Sequence, residues 1–260
     1  MSRMVSKRKR PDRDRFTLKE VMKFGSSSID DRTAASLKKL FGIGIISSIH
    51  FQIASGKEAD IYLAQNGSRV KEEIVLLKIF RMETSSFGKR EDYIRGDRRF
   101  SGKGTDVNKL IGIWCRKEYG NLKVAEEAGV MAPRPYYANG NVLAMEFIGE
   151  DGVPSPKLKD MKSEHPERIM GIIFESIRKL SGYGLVHGDM SEYNVLVKNN
   201  EPYIIDFGQA VSIDHPRAKE FLERDVHNIA TFFRKRYGIE HDESSEVSKA
   251  LSAADKGDST

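Results

Sequence analysis

Apolar and polar positions alternate with period two in the first third of the chain. Residues 49–53 (IHFQI) and 59–64 (ADIYLA) flank the polar stretch ASGKE, and residues 74–80 (IVLLKIF) follow. The first two predict a strand–loop–strand, and the third, too apolar for an exposed edge, predicts an inner strand of a small antiparallel sheet. Ahead of them a short helix is expected from Ser28, with Leu37, Leu40 and Phe41 on one side and Gly42 and Gly44 ending it. From about Val107 to Ala128 the period becomes helical. Leu110, Ile111, Trp114, Leu122 and Ala125 fall in one arc, and Glu118 falls inside it. Gly129, Pro133 and Pro135 then stop the helix.

Residues 142–148 (VLAMEFI) predict a strand ending at Gly149. Residues 166–180 predict a helix, with Pro166 in its first turn and Ile169, Ile172, Ile173, Ile177 and Leu180 apolar. LVHGDMSEYNVLV and YIIDFG supply short apolar strands beside polar loops. A last long helix is expected over 216–237, and the polar segment from Glu240 reads as a frayed tail. The resulting division is a tail and short helix over 1–47, a first lobe over 48–148, a second over 149–240 and a polar tail over 241–260. Residues 81–108 carry 12 charged residues and Gly88, Gly96, Gly102 and Gly104, and read as a flexible insertion in the first lobe.

With 260 residues, 39% apolar and 31% charged, the chain suits one large domain or two lobes sharing a cleft. It has no run of about 18 apolar residues and no secretory h-region, so neither a transmembrane helix nor a signal peptide is expected. The single Cys115 excludes an internal disulfide and a multi-cysteine zinc site, and an intracellular, soluble protein is expected. The net charge of +5 is uneven: residues 1–23 hold nine basic and three acidic side chains, so the rest is near neutral. A basic arm on a neutral body fits either a solvated tail or an anionic partner such as nucleic acid.

The chemistry concentrates in His187-Gly-Asp189-Met-Ser-Glu-Tyr-Asn194 and Asp206-Phe-Gly208. A carboxylate, an amide five residues later and a second carboxylate at a strand end can converge on one point. That trio suits phosphoryl transfer: Asp189 orients or deprotonates the acceptor, and Asn194 with Asp206 offers hard oxygens to Mg²⁺. Lys78 interrupts an apolar strand and Glu118 an apolar helix stripe. Pairing them solves both desolvation problems and leaves Lys78 free to touch ATP phosphates. Ser55, Gly56 and Lys57 lie in a loop whose N–H groups, hydroxyl and ammonium suit phosphates, although the loop is not a Walker A motif. Met145, Glu146, Phe147 and Ile148 end a strand where main-chain groups can meet an adenine edge, an inference from order along the chain. His187 reads as a structural loop residue. Asp225 either anchors the catalytic loop or forms a surface ion pair. Asp225 follows Asp206 by only 19 positions, and no Ala-Pro-Glu follows, which leaves little room for an activation loop or a peptide platform.

These motifs resemble the RIO-type atypical serine/threonine protein kinases over about residues 48–235. ASGKEADIY is similar to that family's modified phosphate loop, and HGDMSEYN with IIDFG to its catalytic and metal loops. KIFRMETSSF…EDYIRGDRRF and MEFIGEDGVPSP look like the first RIO subfamily. The roughly 48 residues before the first strand are too few for the winged helix of the second. HGD replaces the commoner HAD, and DFGQ differs from that subfamily's usual pair after the Asp. The resemblance implies an α+β, two-lobed protein-kinase-like fold: an antiparallel sheet with one long helix, then a mainly helical lobe. It implies ATP with Mg²⁺ or Mn²⁺, autophosphorylation, a cytoplasmic location and a role in small ribosomal subunit maturation, with the basic arm on pre-ribosomal RNA. It further implies Asp206 as acceptor of an aspartyl-phosphate, and a segment 81–108 that orders on partner binding or carries autophosphorylation sites.

Other readings share the same trio. An aminoglycoside- or choline-type small-molecule phosphotransferase fits LVHGD…N…IDFG, but the GKEAD loop, the insertion and the short second lobe count against it. The kinase-like subunit of a tRNA-modification complex normally lacks such an insertion. A scaffold that binds ATP without turnover is at odds with the intact Lys78, Glu118, Asp189, Asn194 and Asp206.

Overall fold

The computed structural model describes residues 30–81 and 107–257. The basic residues 1–23, the expected helix start at Ser28 and nearly all of the charged insertion lie outside them. Five strands, β1 (Ile46–Ser55), β2 (Ala59–Asn66), β3 (Ile74–Phe80), β4 (Pro135–Asn139) and β5 (Val142–Glu146), form an antiparallel sheet in the order β1-β2-β3-β5-β4. Strand β4 was not expected, because Pro133 and Pro135 read only as helix terminators. Proline is tolerated at β4 because that strand forms the sheet edge.

Helix α1 (Asp31–Gly42) covers one face of this sheet and helix α2 (Val107–Glu127) the other. Alternation along the strands sorts the side chains between them. Val75, Leu77 and Ile79 of β3 and Val142 and Ala144 of β5 share a core with Leu37 and Leu40 of α1. The intervening Phe80, Leu143 and Met145 enter a second core with Ile111, Trp114 and Leu122 of α2. Lys78 has the parity of Phe80, so it faces α2. Helix α1 starts where the Asp30 carboxylate accepts the Thr33 N–H at 2.7 Å. At 12 residues it is too short to persist alone. Burial of Leu37 and Leu40 contributes roughly 3–6 kcal/mol, which ties it to the sheet. This helix therefore shares the sheet's own core.

The second half contains the hairpin β6 (Gly149–Glu150) and β7 (Val153–Pro154), then α3 (Pro166–Gly182), β8 (Leu185–Val186), β9 (Val195–Lys198), β10 (Glu201–Ile204), β11 (Val211–Ser212), α4 (Ala218–Tyr237) and α5 (Glu243–Gly257). Helix α5 corrects the expectation of a frayed tail. Asp242 caps it by accepting the Ser245 N–H at 2.9 Å. Its inward face carries Ala250 and the buried Glu246, with Val247 and Leu251 packed alongside. Glu246 pairs with Arg178 of α3 and with His241, whose ring stacks on Phe174 at 4.1 Å. The segment reads as polar because small alanines and a paired carboxylate, rather than large apolar residues, make its contact. Among the described residues no helix is long and apolar enough to cross a membrane.

Candidate active site

The loop that carries Asp189 is built from below. Helix α4 places the fully buried Asp225 beneath it, and this carboxylate accepts the N–H groups of Gly188 at 2.7 Å and Met190 at 2.8 Å. Burial pushes Asp225 up to about 7, against the pull of those two donors. Of the two readings open for Asp225, the structure selects the anchor. Asn228 adds a bond to the Met190 carbonyl at 3.0 Å, and Arg224 donates to the Gly188 carbonyl. His187 is buried, and desolvation lowers it to about 4, so its ring is neutral near pH 7. Its Nδ1 accepts the Asp189 N–H at 3.3 Å, leaving Nε2 to donate to the Ile205 carbonyl at 3.2 Å. It is a structural residue, as expected.

Asn194 and Asp206 meet because a tight hairpin joins them. Strands β9 and β10 pair in register, Val195 with Ile204, around Asn199 and Asn200. Both asparagines have positive φ, 53° and 61°, which a two-residue hairpin of this hand requires. The pairing continues one step as Ile205 N–H to the Asn194 carbonyl, 2.9 Å. Asn194 then donates its side-chain N–H₂ to the Asp189 carbonyl at 2.9 Å and to the Asp189 carboxylate at 3.1 Å. Because the nitrogen is committed to Asp189, the amide oxygen remains as the acceptor. Asp189 is raised to about 6, first by burial and then by the charge of Asp206. Gln209 also donates to the Asp189 carboxylate, at 3.2 Å.

Lys78 closes the site from the sheet. Its ammonium lies 2.8 Å from Glu118 and 2.9 Å from Asp206. Burial alone would lower Lys78, but Asp206 and Glu118 outweigh it and hold the amine protonated. Lys78 in turn depresses Asp206, whereas burial raises Glu118, whose side chain is only 2% exposed. The Asp206 side chain is 43% exposed and reaches the cleft. Its backbone is left-handed, φ 66° and ψ 67°, an uncommon state that directs the carboxylate toward Lys78.

Sequence reasoning missed the clamp that holds this segment. Lys117, 1% exposed, donates to the carbonyls of Gly208 at 2.8 Å and Ala210 at 2.5 Å. Asn121, one turn on, donates to those of Phe207 at 2.9 Å and Ala210 at 3.1 Å. Gly208 packs so closely on Trp114 that an added Cβ would lie 3.0 Å from the indole nitrogen. Thus α2 grips the residues after Asp206 with three side chains while Glu118 holds Lys78. The signal was present: Asn121 falls inside the apolar arc that contains Glu118, and Lys117 falls at its edge.

The remaining expected residues sit around this centre. Ser55 ends β1, and Gly56 turns the loop by bonding its N–H to the Ala59 carbonyl at 3.0 Å. Lys57 is exposed, and the charge of Glu58 adds a small upward push on Asp189. Arg81 was not anticipated. It pairs with Asp60 at 2.6 Å and donates to the Ser55 hydroxyl at 2.5 Å. Neither an ionised carboxylate nor an arginine can both donate and accept, so the Ser55 hydroxyl accepts from Arg81 and donates to the Asp60 carboxylate, which helps lower Asp60. Met145, Phe147 and Ile148 have buried side chains. The Glu146 N–H is spent on the Arg134 carbonyl, 2.8 Å, and the Ile148 carbonyl on the Ser155 N–H, 3.0 Å.

The RIO domain model matches residues 60–245. The RIO-type serine/threonine-protein kinase Rio1 of Haloferax volcanii is 38% identical over 236 residues, spanning 89% of this chain and 80% of that protein. The protein of the same description from Thermoplasma acidophilum is 44% identical over 170 residues, spanning 65% of this chain and 89% of its own. Among solved structures, the Rio2 kinase-ADP/Mg²⁺-phosphoaspartate complex from Chaetomium thermophilum superposes with a TM-score of 0.65 at 20% identity, covering 93% of this chain and 80% of the other. That likeness establishes the two-lobed kinase fold. With a family model spanning most of its length and relatives well above a third identical, the chain belongs to the RIO family of atypical serine/threonine protein kinases.

Proposed function

We propose that this kinase transfers the γ-phosphoryl group of Mg²⁺-bound ATP to serine or threonine hydroxyls, its own included, and hydrolyses ATP. The observation that carries the reading is the bonded group Lys78–Glu118–Asp206 next to Asp189–Asn194. Lys78, fixed by Glu118, contacts the α- and β-phosphates. Ser55, Gly56 and Lys57 cover them. The adenine edge lies along Met145, Glu146, Phe147 and Ile148, read by main-chain groups not already used, the Ile148 N–H among them. Asp189 takes the acceptor's proton. Residues 48–148 and 149–240 are the two lobes around this cleft.

The donors present fit a magnesium ion. Asn194 keeps its amide oxygen unspent and Asp206 keeps an ionised carboxylate. Among the described residues no cluster of three or more His, Cys, Asp or Glu could bind a metal alone. One carboxylate and one amide, completed by phosphate oxygens, is the sparse set magnesium accepts in phosphoryl-transfer sites. The ion, or Mn²⁺ in its place, would neutralise charge on the phosphates. In the transfer the bond from the β–γ bridging oxygen to phosphorus breaks, and ADP leaves with its electron pair. The phosphoryl group joins the acceptor hydroxyl oxygen or, in an ATPase cycle, a carboxylate oxygen of Asp206. The relative solved with phosphoaspartate supports this second acceptor.

Label transfer from γ-labelled Mg²⁺-ATP tests the reading. Hydroxylamine-sensitive label on the protein is expected, and it should vanish in Asp206→Asn, which tolerates the left-handed backbone. Hydroxylamine-stable label would assign the step to serine or threonine alone. No label and no ATP hydrolysis would overturn the proposal.

The setting we propose is cytoplasmic maturation of the small ribosomal subunit, with residues 1–23 on ribosomal RNA. Their nine basic residues support it. Each phosphate contact adds about 0.7–0.9 to the slope of log affinity against log salt. Deleting residues 1–23 should therefore flatten that slope by several units. An unchanged slope would remove the arm from the interface.

A further inference from the structure

The short segment after Asp206 leaves unanswered how a protein substrate is held. Phe207, Gly208 and Ala210 are clamped under α2, and Val211 and Ser212 pair with β8. Those residues offer no ledge for an extended peptide. A cavity of about 340 Å³ lies instead on the other side of the catalytic loop, between Glu192 and the outer face of α4.

Asn228, Thr231, Phe232, Lys235 and Arg236 recur at helical spacing on one face of α4 and line the cavity. The opposite face, with Phe221, Asp225, Ile229 and Phe233, is buried. The cavity is tied to the chemistry, because Asn228 donates to the carbonyl of Met190, the residue after Asp189. Glu192 follows Asp189 by three residues, a span of at most about 11 Å.

The charge of the cavity is lopsided. Lys235 and Arg236 are exposed and make no ion pair among the described residues. His227, which also lines the cavity, and the neighbouring Arg234 are turned toward Glu243, at 2.9 Å and 4.0 Å. Two uncompensated cations therefore face one carboxylate, that of Glu192. An ammonium and a guanidinium beside an amide, a hydroxyl and an aromatic wall recognise a carboxylate on a short aliphatic stem.

We propose that this cavity receives a glutamate or aspartate side chain of the protein substrate, docking an acidic segment within about four residues of the phosphoacceptor so that its hydroxyl meets Asp189. The proposal rests on the catalytic reading of Asp189 for its purpose, but the binding it predicts can be measured without turnover.

The test uses the whole chain and fluorescence anisotropy. The probes are a labelled peptide with one serine flanked by glutamates, the same peptide with glutamines, and a single-stranded RNA of equal charge. The glutamate peptide should bind well above the glutamine peptide. The Lys235→Glu/Arg236→Glu pair should weaken it about tenfold, since two exposed pairs become repulsive. Lys235→Gln/Arg236→Gln should fall between, with melting temperature confirming that each variant is folded. Equal binding of the two peptides, or no effect of either variant, would overturn the proposal. So would RNA binding that depends on these two residues and exceeds peptide binding, which would make the face a nucleic-acid surface. Charge-dependent peptide binding by a protein that turns over no ATP would uphold the docking face and defeat the catalytic reading instead.

Discussion

Replacing Asp189 by alanine is expected to lower kcat for phosphoryl transfer about 10²–10⁴-fold while KM for ATP stays within about a factor of two. The size follows from what the residue does and does not touch. Its carboxylate meets two amide donors, Asn194 and Gln209, and none of the residues assigned to the adenine or the α- and β-phosphates. The loop conformation is kept by Asp225, through Gly188 and Met190, so removing the Asp189 side chain leaves its backbone in place. Burial and Asp206 hold Asp189 near 6, basic enough to take a proton at neutral pH where an ordinary aspartate is a weaker base. Asp189→Asn keeps an acceptor for Asn194 but removes the base, and should lose as much. Steady-state kinetics with isotopic ATP decide the point. Parallel losses in KM and kcat would show that Asp189 positions nucleotide rather than the acceptor.

Lys78→Met should abolish turnover and, at neutral pH, cost about 3–5 kcal/mol of stability. The cost comes from Glu118, whose side chain is 2% exposed and loses the cation it faces at 2.8 Å. Asp206 is 43% exposed and can recover part of its hydration, so it contributes less. The pH dependence has a definite sign. Burial already raises Glu118, and loss of Lys78 raises it further above its unfolded value. The folded variant then holds a proton that the unfolded chain releases above about pH 4.3. Stability therefore falls as pH rises through that range until the folded-state value is passed. Urea unfolding at pH 5 and pH 7 measures this, and the variant should be less impaired at pH 5. A double variant, Lys78→Met with Glu118→Leu, removes the stranded carboxylate and should regain most of the loss without regaining turnover. If the single variant were as stable as the parent at pH 7, the buried pairing would not govern the fold.

Much of the fold is legible one residue at a time. Period-two runs mark β1, β2 and β3, the 3.6-residue arc marks α2, and Pro166 and Gly129 mark helix ends within a residue or two. Elements that escaped lack a local signal. Strand β4 hides behind two prolines, and α5 earns its place through Ala250 and a paired Glu246, whose burial depends on Arg178 and His241 lying where they do. The site was legible where polar residues break an apolar pattern, as at Lys78 and Glu118, or cluster beside short apolar strands, as at Asp189, Asn194 and Asp206.

By itself the sequence determined which groups need partners, because an amine or carboxylate in an apolar stripe cannot stay buried alone. It therefore named Lys78 and Glu118 as a pair. Tertiary structure alone decided that Asp206 is the third member, since only the β9–β10 hairpin and a left-handed backbone bring that carboxylate to Lys78. It decided that Asp225 anchors rather than decorates, because the loop's N–H groups converge on it from 35 and 37 residues away. It alone revealed Lys117 and Asn121 as a clamp, for their acceptors are main-chain carbonyls, which every residue owns and no sequence pattern distinguishes.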